Sequence, residues 1–123
     1  RQKFADYTLA NGWDNIHGGI YRDGMHDGRI VVTDKEWWQN FESLTGFLDS
    51  YQATEDERYL DTFIKLWKFD KKYFYNPEVG ESRQLLLADG TPVIDDTGNQ
   101  WKCIYHTDRA MMECCLRIES LTE

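Results

Sequence analysis

The sequence lacks the features of several protein classes. None of its apolar runs approaches the roughly 20 residues that a membrane-spanning helix needs. Basic side chains are few, since 14 Lys and Arg stand against 22 Asp and Glu for a formal net charge of −8. An acidic chain repels phosphate backbones and anionic lipid. We therefore expect neither nucleic-acid binding nor membrane attachment.

Cysteine is scarce and poorly spaced for a metal site. Cys103, Cys114 and Cys115 form an odd set without a C-x-x-C spacing. Cys114 and Cys115 would point about 100° apart on a helix, so they are poorly placed to chelate one ion. The pattern favours buried free thiols in a reducing cytoplasm, and no metal is predicted. No signal-peptide pattern is found, although the chain begins with Arg1 rather than Met.

A glycine-rich loop near the start of the chain only partly imitates a calcium site. The run from Asp23 to Gly28 lacks the acid at the third position, has Asp34 in place of the usual Glu, and follows no helix. An ordinary Asx/Gly turn is the favoured interpretation. His17 and His26 are interpreted as polar loop residues rather than as a metal pair.

Aromatic residues, in contrast, are plentiful at 15% of the chain, within a hydrophobic total of 41%. This is enough for a core and argues against disorder. Apolar spacing and capping signals predict four helices, at about 2–11, 35–53, 56–75 and 104–121. Thr33 with Glu36 and Thr54 with Glu57 have capping-box spacing. The residues around 83–87 and 92–94 are predicted to form a hairpin. The expected class is all-α, with long loops and short β-hairpins.

The faces of two helices separate apolar from functional side chains. One side of the second helix is apolar and includes Trp37, Phe41, Leu44, Leu48 and Tyr51. Trp38 and Glu42, four residues apart, share an adjacent side. One side of the last helix carries His106, Arg109, Ala110 and Glu113, and another carries Met111, Cys114, Cys115 and Ile118.

Two segments combine ionisable groups with large rings. They are residues 35–42, which read Lys-Glu-Trp-Trp-Gln-Asn-Phe-Glu, and residues 101–110, which read Trp-Lys-Cys-Ile-Tyr-His-Thr-Asp-Arg-Ala. Rings stack on pyranose faces while charged groups bind hydroxyls, so the pattern favours a sugar site. With Gly18-Gly19-Ile20-Tyr21, residues 54–60 and Gly80-Glu81, these segments resemble the N-acylglucosamine 2-epimerase family, which includes cellobiose 2-epimerases. The resemblance covers nearly the whole chain.

The resemblance implies a fold and a place within it. Members of the family fold as an (α/α)6 toroid of about twelve helices. Four helices cannot close such a toroid. We therefore expect residues 1–123 to be a single partial domain, the C-terminal part of a longer protein.

The resemblance also implies the chemistry of His106. The residues alone favour a histidine that is satisfied by hydrogen bonds near a helix start. The match of Tyr105, His106 and Arg109 to the family's Tyr-His-x-x-Arg pattern implies one of two acid/base histidines, since imidazole can take and return a proton near neutrality. The family's other histidine lies in a Gly-His-x-x-Glu motif that this chain lacks. We therefore expect the fragment to be inactive alone.

The same resemblance implies substrate-binding roles for four residues, namely Trp38, Glu42, Trp101 and Arg109. Two plainer interpretations stay open: Trp38 as a core ring, and Arg109 in a salt bridge to Glu113 one turn on. Asn40 stands where the family usually has Gln, which bears on substrate preference. Lys35, Tyr21 and Glu81 are candidates for a supporting role, and each also has a simple surface explanation.

The preferred interpretation is a sugar 2-epimerase of the N-acylglucosamine or cellobiose type, acting through an enediolate without a cofactor. An aldose–ketose isomerase of the same fold and a non-catalytic carbohydrate-binding module are the alternatives. Hydrolysis needs two opposed carboxylates at a suitable separation, and ranks below isomerisation. The expected partner is a small-molecule sugar, and a homodimer is compatible with this interpretation.

Overall fold

The computed structural model describes residues 2–122, and in this range it contains four α-helices. Helix α1 spans Gln2–Tyr7, α2 spans Trp37–Thr54, α3 spans Glu57–Phe69 and α4 spans Tyr105–Thr122. A π-helical turn extends α1 over Thr8–Gly12, and another extends α3 over Asp70–Phe74. The α-helices together with these π-helical turns cover the four predicted helical regions, and most of their ends differ from the predicted ones by one or two residues.

Helix α2 is the central element of the fold. It packs against both α3 and α4, and its predicted apolar side is the buried one. The core lies between these helices and includes Trp37, Phe41, Leu44, Phe47, Leu48, Tyr59, Phe63, Leu66, Phe69, Phe74, Leu86, Ala110 and Cys114. Tyr51 is only partly buried at its edge. Burial of this side, more than helix propensity, holds α2 in place.

Both predicted capping boxes are wrong. Glu36 is the residue before α2 and its side chain makes no capping hydrogen bond. Residues Lys35–Glu36 instead form a strand, so Thr33 cannot cap the helix. Asp56 caps α3, accepting a hydrogen bond from the Arg58 backbone N–H at 3.0 Å. Carboxylates and hydroxyls compete for this position, and spacing alone does not choose between them.

Within residues 2–122, seven two- or three-residue strands order the loops between the helices. They are β1 Asp23–Gly24, β2 Ile30–Val32, β3 Lys35–Glu36, β4 Tyr75–Asn76, β5 Glu81–Ser82, β6 Leu85–Leu86 and β7 Pro92–Ile94. All pairings are antiparallel: β1 with β2, β4 with β5, and β6 with both β3 and β7. The β6–β7 hairpin is the one predicted. In the first long loop, Asp23–Gly24 pairs with Ile30–Val32 to form another hairpin. Ile20 lies outside this hairpin and forms an isolated bridge with Trp13.

The glycine-rich loop folds as an Asx turn, as predicted. Asp27 accepts a hydrogen bond from the Arg29 backbone N–H at 3.0 Å and pairs with the Arg29 guanidinium. His17 and His26 are exposed. These side chains are therefore ordinary loop residues in the structure.

Lys35 is buried, contrary to the surface explanation offered for it. Its ammonium donates to Asp14 and to the Ala88 carbonyl, each at 2.7 Å. The Asp14 carboxylate also accepts from the backbone N–H groups of Ile16 and His17. Burial alone would raise the pKa of Asp14, but these hydrogen bonds outweigh it and lower that pKa. The pair ties both long loops to the start of α2.

Only one of the three cysteines is buried, which corrects the prediction of three buried thiols. All three are free, but Cys103 and Cys115 are exposed and Cys114 alone packs in the core. Adjacent residues on a helix face different ways, so Cys114 and Cys115 cannot both face the core. Within residues 2–122, no helix is both long and apolar enough to cross a bilayer.

Replacing Lys35 with methionine should cost roughly 3–5 kcal/mol of unfolding free energy, because Asp14 would be left as an uncompensated buried charge. Urea unfolding of the chain measures this loss. Lys65→Met, at an exposed site on α3, is the matched control and should change stability by less than about 0.5 kcal/mol. Equal free energies of unfolding for Lys35→Met and Lys65→Met would contradict the assignment of Lys35 as the partner that compensates the buried charge of Asp14.

Asp70→Asn should stabilise the chain at neutral pH by roughly 1–3 kcal/mol, because Asp70 is fully buried and neither of its oxygens has a hydrogen-bond partner among residues 2–122. Burial raises the pKa of Asp70 well above 3.8. A raised pKa in the folded state makes stability fall as pH increases through that pKa, so the gain should shrink toward pH 3.8. Urea unfolding over this range, with exposed Asp61→Asn as control, checks both points.

Candidate active site

His106 lies in the first turn of α4 and faces α2. Its Nδ1 is 2.9 Å from Glu42 Oε1, and the side chain is 33% exposed. The plainer interpretation of His106, a histidine that is satisfied by hydrogen bonds near a helix start, therefore also describes the observed geometry. The imidazole is thus hydrogen-bonded through Nδ1 and partly exposed to solvent. A hydrogen-bonded orientation and an accessible ring nitrogen are together what acid/base chemistry requires.

Arg109 binds the same carboxylate as His106. Its Nε donates to Glu42 Oε1 at 3.1 Å, and its Nη2 donates to Oε2. The plainer alternative, a salt bridge from Arg109 to Glu113, is wrong because Glu113 pairs with Arg117 instead. Helix periodicity indicated Glu113, one turn on, whereas the packing of α4 on α2 places Glu42 at the guanidinium.

Glu42 is the centre of this cluster. Burial alone would raise the pKa of its carboxyl, but hydrogen bonds from Arg109 and His106 outweigh burial and lower that pKa. The same bonds raise the pKa of Arg109. Glu42 is therefore an anion that holds one imidazole and one guanidinium in fixed directions.

Three aromatic rings surround the imidazole at different depths. Trp37 is buried and makes a T-shaped contact with His106, with ring centroids 6.1 Å apart. Trp38 is 41% exposed, with its centroid 5.9 Å from that of His106. Tyr105 is 58% exposed at 5.0 Å. The core-ring alternative therefore describes Trp37 and not Trp38, whose exposed face could stack on a sugar.

Trp101 lies apart from this cluster. Its side chain is 77% exposed in the loop before α4, and within residues 2–122 its ring contacts no other aromatic ring. The Asn99 side chain fixes the local backbone by accepting from the N–H groups of Trp101 and Lys102. The indole is thus largely exposed on a loop whose backbone is fixed.

An open groove of about 470 Å³ begins at Trp38 and Glu42 and runs along α2 toward α1. Its walls include Gln39, Ser43 and Phe47 from α2. Gly46 is part of the same wall, and nothing lies within 4 Å of where its Cβ would be. The groove is mostly apolar and shares Trp38 and Glu42 with the candidate site, whereas His106 and Arg109 do not line it.

Asn40 does not contact the site, although its departure from the family pattern was expected to bear on substrate preference. It is buried, accepts a hydrogen bond from the Ile20 N–H at 2.9 Å and donates to the Glu36 carbonyl. Gln39 lines the groove instead. Asn40 therefore fixes the first loop against α2.

Sequence reasoning missed a second ionic cluster behind His106. Lys102 is fully buried and donates to Glu81 Oε1 at 3.3 Å, so the surface explanation for Glu81 is wrong. Thr107, next to His106, donates to the same oxygen at 3.0 Å. The sequence signal that could have indicated this cluster was the position of Lys102 next to Trp101, inside the aromatic segment 101–110. Among residues 2–122, no group of three or more His, Cys, Asp or Glu side chains could hold a metal ion.

His106, Glu42 and Arg109 lie together beside exposed aromatic rings, which is the arrangement expected of the carbohydrate-enzyme class that the sequence predicts. Comparison with known proteins gives the same class. The model of the N-acylglucosamine 2-epimerase (GlcNAc 2-epimerase) family matches residues 2–110. The chain therefore belongs to the N-acylglucosamine 2-epimerase family, whose members include carbohydrate epimerases and isomerases.

Individual relatives agree with this assignment. The cellobiose 2-epimerase of Ruminococcus albus is 35% identical over 123 residues, covering 95% of this chain and 31% of the relative. The N-acylglucosamine 2-epimerase of Mus musculus is 28% identical over 116 residues, covering 91% and 28%. A crystal structure of D-mannose isomerase superposes with a TM-score of 0.84 at 26% identity, covering 89% of this chain and 28% of that one. The chain thus spans less than a third of the length of these relatives.

Glu42→Gln should lower the free energy of unfolding by roughly 1–2 kcal/mol at neutral pH, a range reduced for the partial exposure of the cluster. A lowered pKa in the folded state makes this contribution present above pH 4.5 and lost as pH falls through the lowered pKa. Urea unfolding at several pH values measures the difference, which should close in acid. Glu119→Gln, on the exposed end of α4, is the control. A pH-independent difference would contradict an ionised Glu42.

Proposed function

We propose that this chain carries one half of the catalytic apparatus of a sugar 2-epimerase of the N-acylglucosamine or cellobiose type. The observation that supports this most directly is Glu42 binding both His106 and Arg109 beneath exposed aromatic rings. The reaction inverts one carbon of an open-chain aldose. The C2–H bond breaks, the proton passes to a base, and its electron pair forms a C1–C2 double bond while the aldehyde oxygen becomes negative.

His106 is the proposed acid/base group. Because Glu42 is an anion, Nδ1 carries hydrogen and donates it to Oε1. The lone pair then lies on Nε2, which takes a proton from C2 or returns one to it. Glu42 also stabilises the imidazolium that forms, in the same way that a carboxylate orients and supports other catalytic histidines.

Substrate binding falls to the residues around the imidazole. Arg109 uses two of its donors on Glu42, and its remaining N–H groups are available to the enediolate oxygen. Trp38 offers an exposed face for stacking, and Trp101 offers a second from the loop before α4. Glu42 reaches sugar hydroxyls only at the expense of its bonds to His106 and Arg109, so orientation of His106 is its main proposed role.

We further propose that α1 to α4 are the C-terminal part of an (α/α)6 toroid in a longer protein. The central position of α2 between α3 and α4 agrees with a layered helical ring. Inversion requires a second base on the opposite face of C2, and the two other histidines of this chain lie on exposed loops. The second base is therefore assigned to a part of the protein outside these residues, and the isolated chain should be inactive.

A second candidate is an aldose–ketose isomerase, favoured by the similarity to the D-mannose isomerase structure. The same proton abstraction at C2 begins both reactions. The difference lies in the return step, because the isomerase delivers the proton to C1, while the former aldehyde oxygen takes up a proton and the C2 hydroxyl gives one up to become the carbonyl. Both candidates use His106 in the same role.

We also propose a cytoplasmic location and a homodimeric assembly. The exposed thiols of Cys103 and Cys115 agree with a reducing compartment. A small sugar is the proposed ligand, and no cofactor is needed for proton transfer through an enediolate.

His106→Asn in the full-length protein should abolish solvent-deuterium incorporation at C2, with a loss of at least about 10²-fold, because the amide cannot accept a proton at neutral pH. NMR of N-acylglucosamine, cellobiose and mannose incubated in D2O measures the exchange. His17→Asn, on an exposed loop, is the matched control and should exchange as the unaltered protein does. Exchange at the unaltered rate in His106→Asn would refute the assignment.

The same incubation separates the two candidate reactions. Deuterium at C2 of an epimeric aldose indicates epimerisation, whereas a ketose labelled at C1 indicates isomerisation. Tight disaccharide binding by the isolated chain, without exchange in the full-length protein, would favour a carbohydrate-binding module.

A further inference from the structure

Glu81, at the start of β5, is the centre of a second ionic cluster. One carboxylate oxygen, Oε1, accepts from the Ser82 N–H at 2.6 Å, the Ser82 hydroxyl at 2.8 Å, the Thr107 hydroxyl at 3.0 Å and Lys102 Nζ at 3.3 Å. Such convergence of four donors on one oxygen makes the anion the preferred state. Burial alone would raise the pKa of Glu81, yet these bonds lower it.

Lys102 is the matching cation, and its side chain is fully buried. Its ammonium also donates to the Thr97 carbonyl at 3.0 Å and lies 5.6 Å from the centroid of the Trp37 ring. A buried ammonium requires such partners, because desolvation of an unpaired charge is expensive. Lys102 therefore balances the charge of Glu81 inside the protein.

This cluster reaches His106 by two routes. Along the chain, Thr107 is bound to Glu81 and directly follows His106 in the first turn of α4. Through space, Lys102 lies against Trp37, whose ring makes a T-shaped contact with the imidazole. The imidazole is thus held by Glu42 from one side and by these contacts from the other.

We propose that Glu81 and Lys102 are a positioning pair for His106, which fixes the first turn of α4 and presents a charge-balanced wall behind the imidazole. The inference rests on the proposed function of His106. Neither residue contacts the reacting carbon in this assignment. They act through Thr107 and Trp37, and the balance of their charges matters as much as their packing.

Charge balance makes a prediction that packing alone does not. The charged and titratable groups around His106 are Glu42 on α2, Tyr105, Asp108 and Arg109 on α4, and the Glu81–Lys102 pair behind it. Removing Glu81 alone leaves an unbalanced cation near the imidazolium and disfavours it. Removing Lys102 alone leaves an unbalanced anion and favours it.

Glu81→Gln should therefore move the NMR titration midpoint of the His106 imidazole to lower pH, and Lys102→Met should move it to higher pH. Each change corresponds to roughly a three- to tenfold change in proton affinity, the size expected for a nearby charge that is partly screened by solvent. The double variant should return toward the unaltered midpoint. The chain contains three histidines, and the exposed His17 and His26 serve as internal references.

Arg83→Met is the matched control, since Arg83 is a cation of the same loop that pairs with Asp95 instead. It should leave the His106 midpoint in place. Midpoints that stay unchanged in both single variants, or move in the same direction, would overturn the proposal. Should a single variant fail to fold, Thr107→Val removes only the hydroxyl contacts to Glu81 and Ser82 and keeps both charges.

Activity in the full-length protein separates this inference from the proposed function. Glu81→Gln and Thr107→Val should lower kcat for C2 exchange at least about tenfold with little change in KM, because the substrate contacts stay intact. Glu81→Asp, which keeps the charge, should recover part of the rate. Absence of exchange in the unaltered protein would refute the proposed function alone. Normal exchange in both variants would refute the positioning pair alone.

Discussion

The site depends on one carboxylate that serves two helices. Glu42 projects from α2 and binds both His106 and Arg109 of α4, so the two helices must pack in a single register for either bond to form. Thr45 and Cys114 approach each other further along the same interface, and Gln52 bonds Ser120 near its end. Helix packing alone tolerates sliding by a fraction of a turn, whereas a shared bidentate contact does not. The chemistry and the α2–α4 interface are thus fixed by the same atoms.

Two buried lysines extend this order into loops that have little regular structure. Lys35 binds Asp14 and the Ala88 carbonyl, and Lys102 binds Glu81 and the Thr97 carbonyl. Each ammonium therefore joins segments that are far apart in sequence, at a position where a neutral side chain could not satisfy the same oxygens. Ion pairs of this kind are weak contributors to net stability but strongly exclude alternative arrangements. They hold the residues before α2 and before α4, which carry the aromatic motifs.

Helical periodicity and the aromatic motifs were sufficient to predict the positions of the helices, the later hairpin and the membership of the family. They were not sufficient for contacts between elements. Arg109 had Glu113 at helical spacing, and only the packing of α4 on α2 selected Glu42. Lysine and glutamate are usually surface residues, so nothing in the sequence indicated that Lys35 and Glu81 would be drawn into the interior. Their burial follows from long-range folding of the loops. Asn40 differs from the family pattern, yet its side chain is used to fix Ile20 rather than to bind a ligand.

The different exposure of the three cysteines makes their alkylation a measure of how often part of the fold opens. Cys103 and Cys115 are exposed and open to alkylating reagents, whereas burial withholds Cys114 and raises the pKa of its thiol to about 11. A thiolate is the reactive species, so Cys114 reacts only in molecules whose α2–α4 interface has opened. The ratio of doubly to triply alkylated chains in a mass spectrum therefore reports how often this interface separates, without any introduced label.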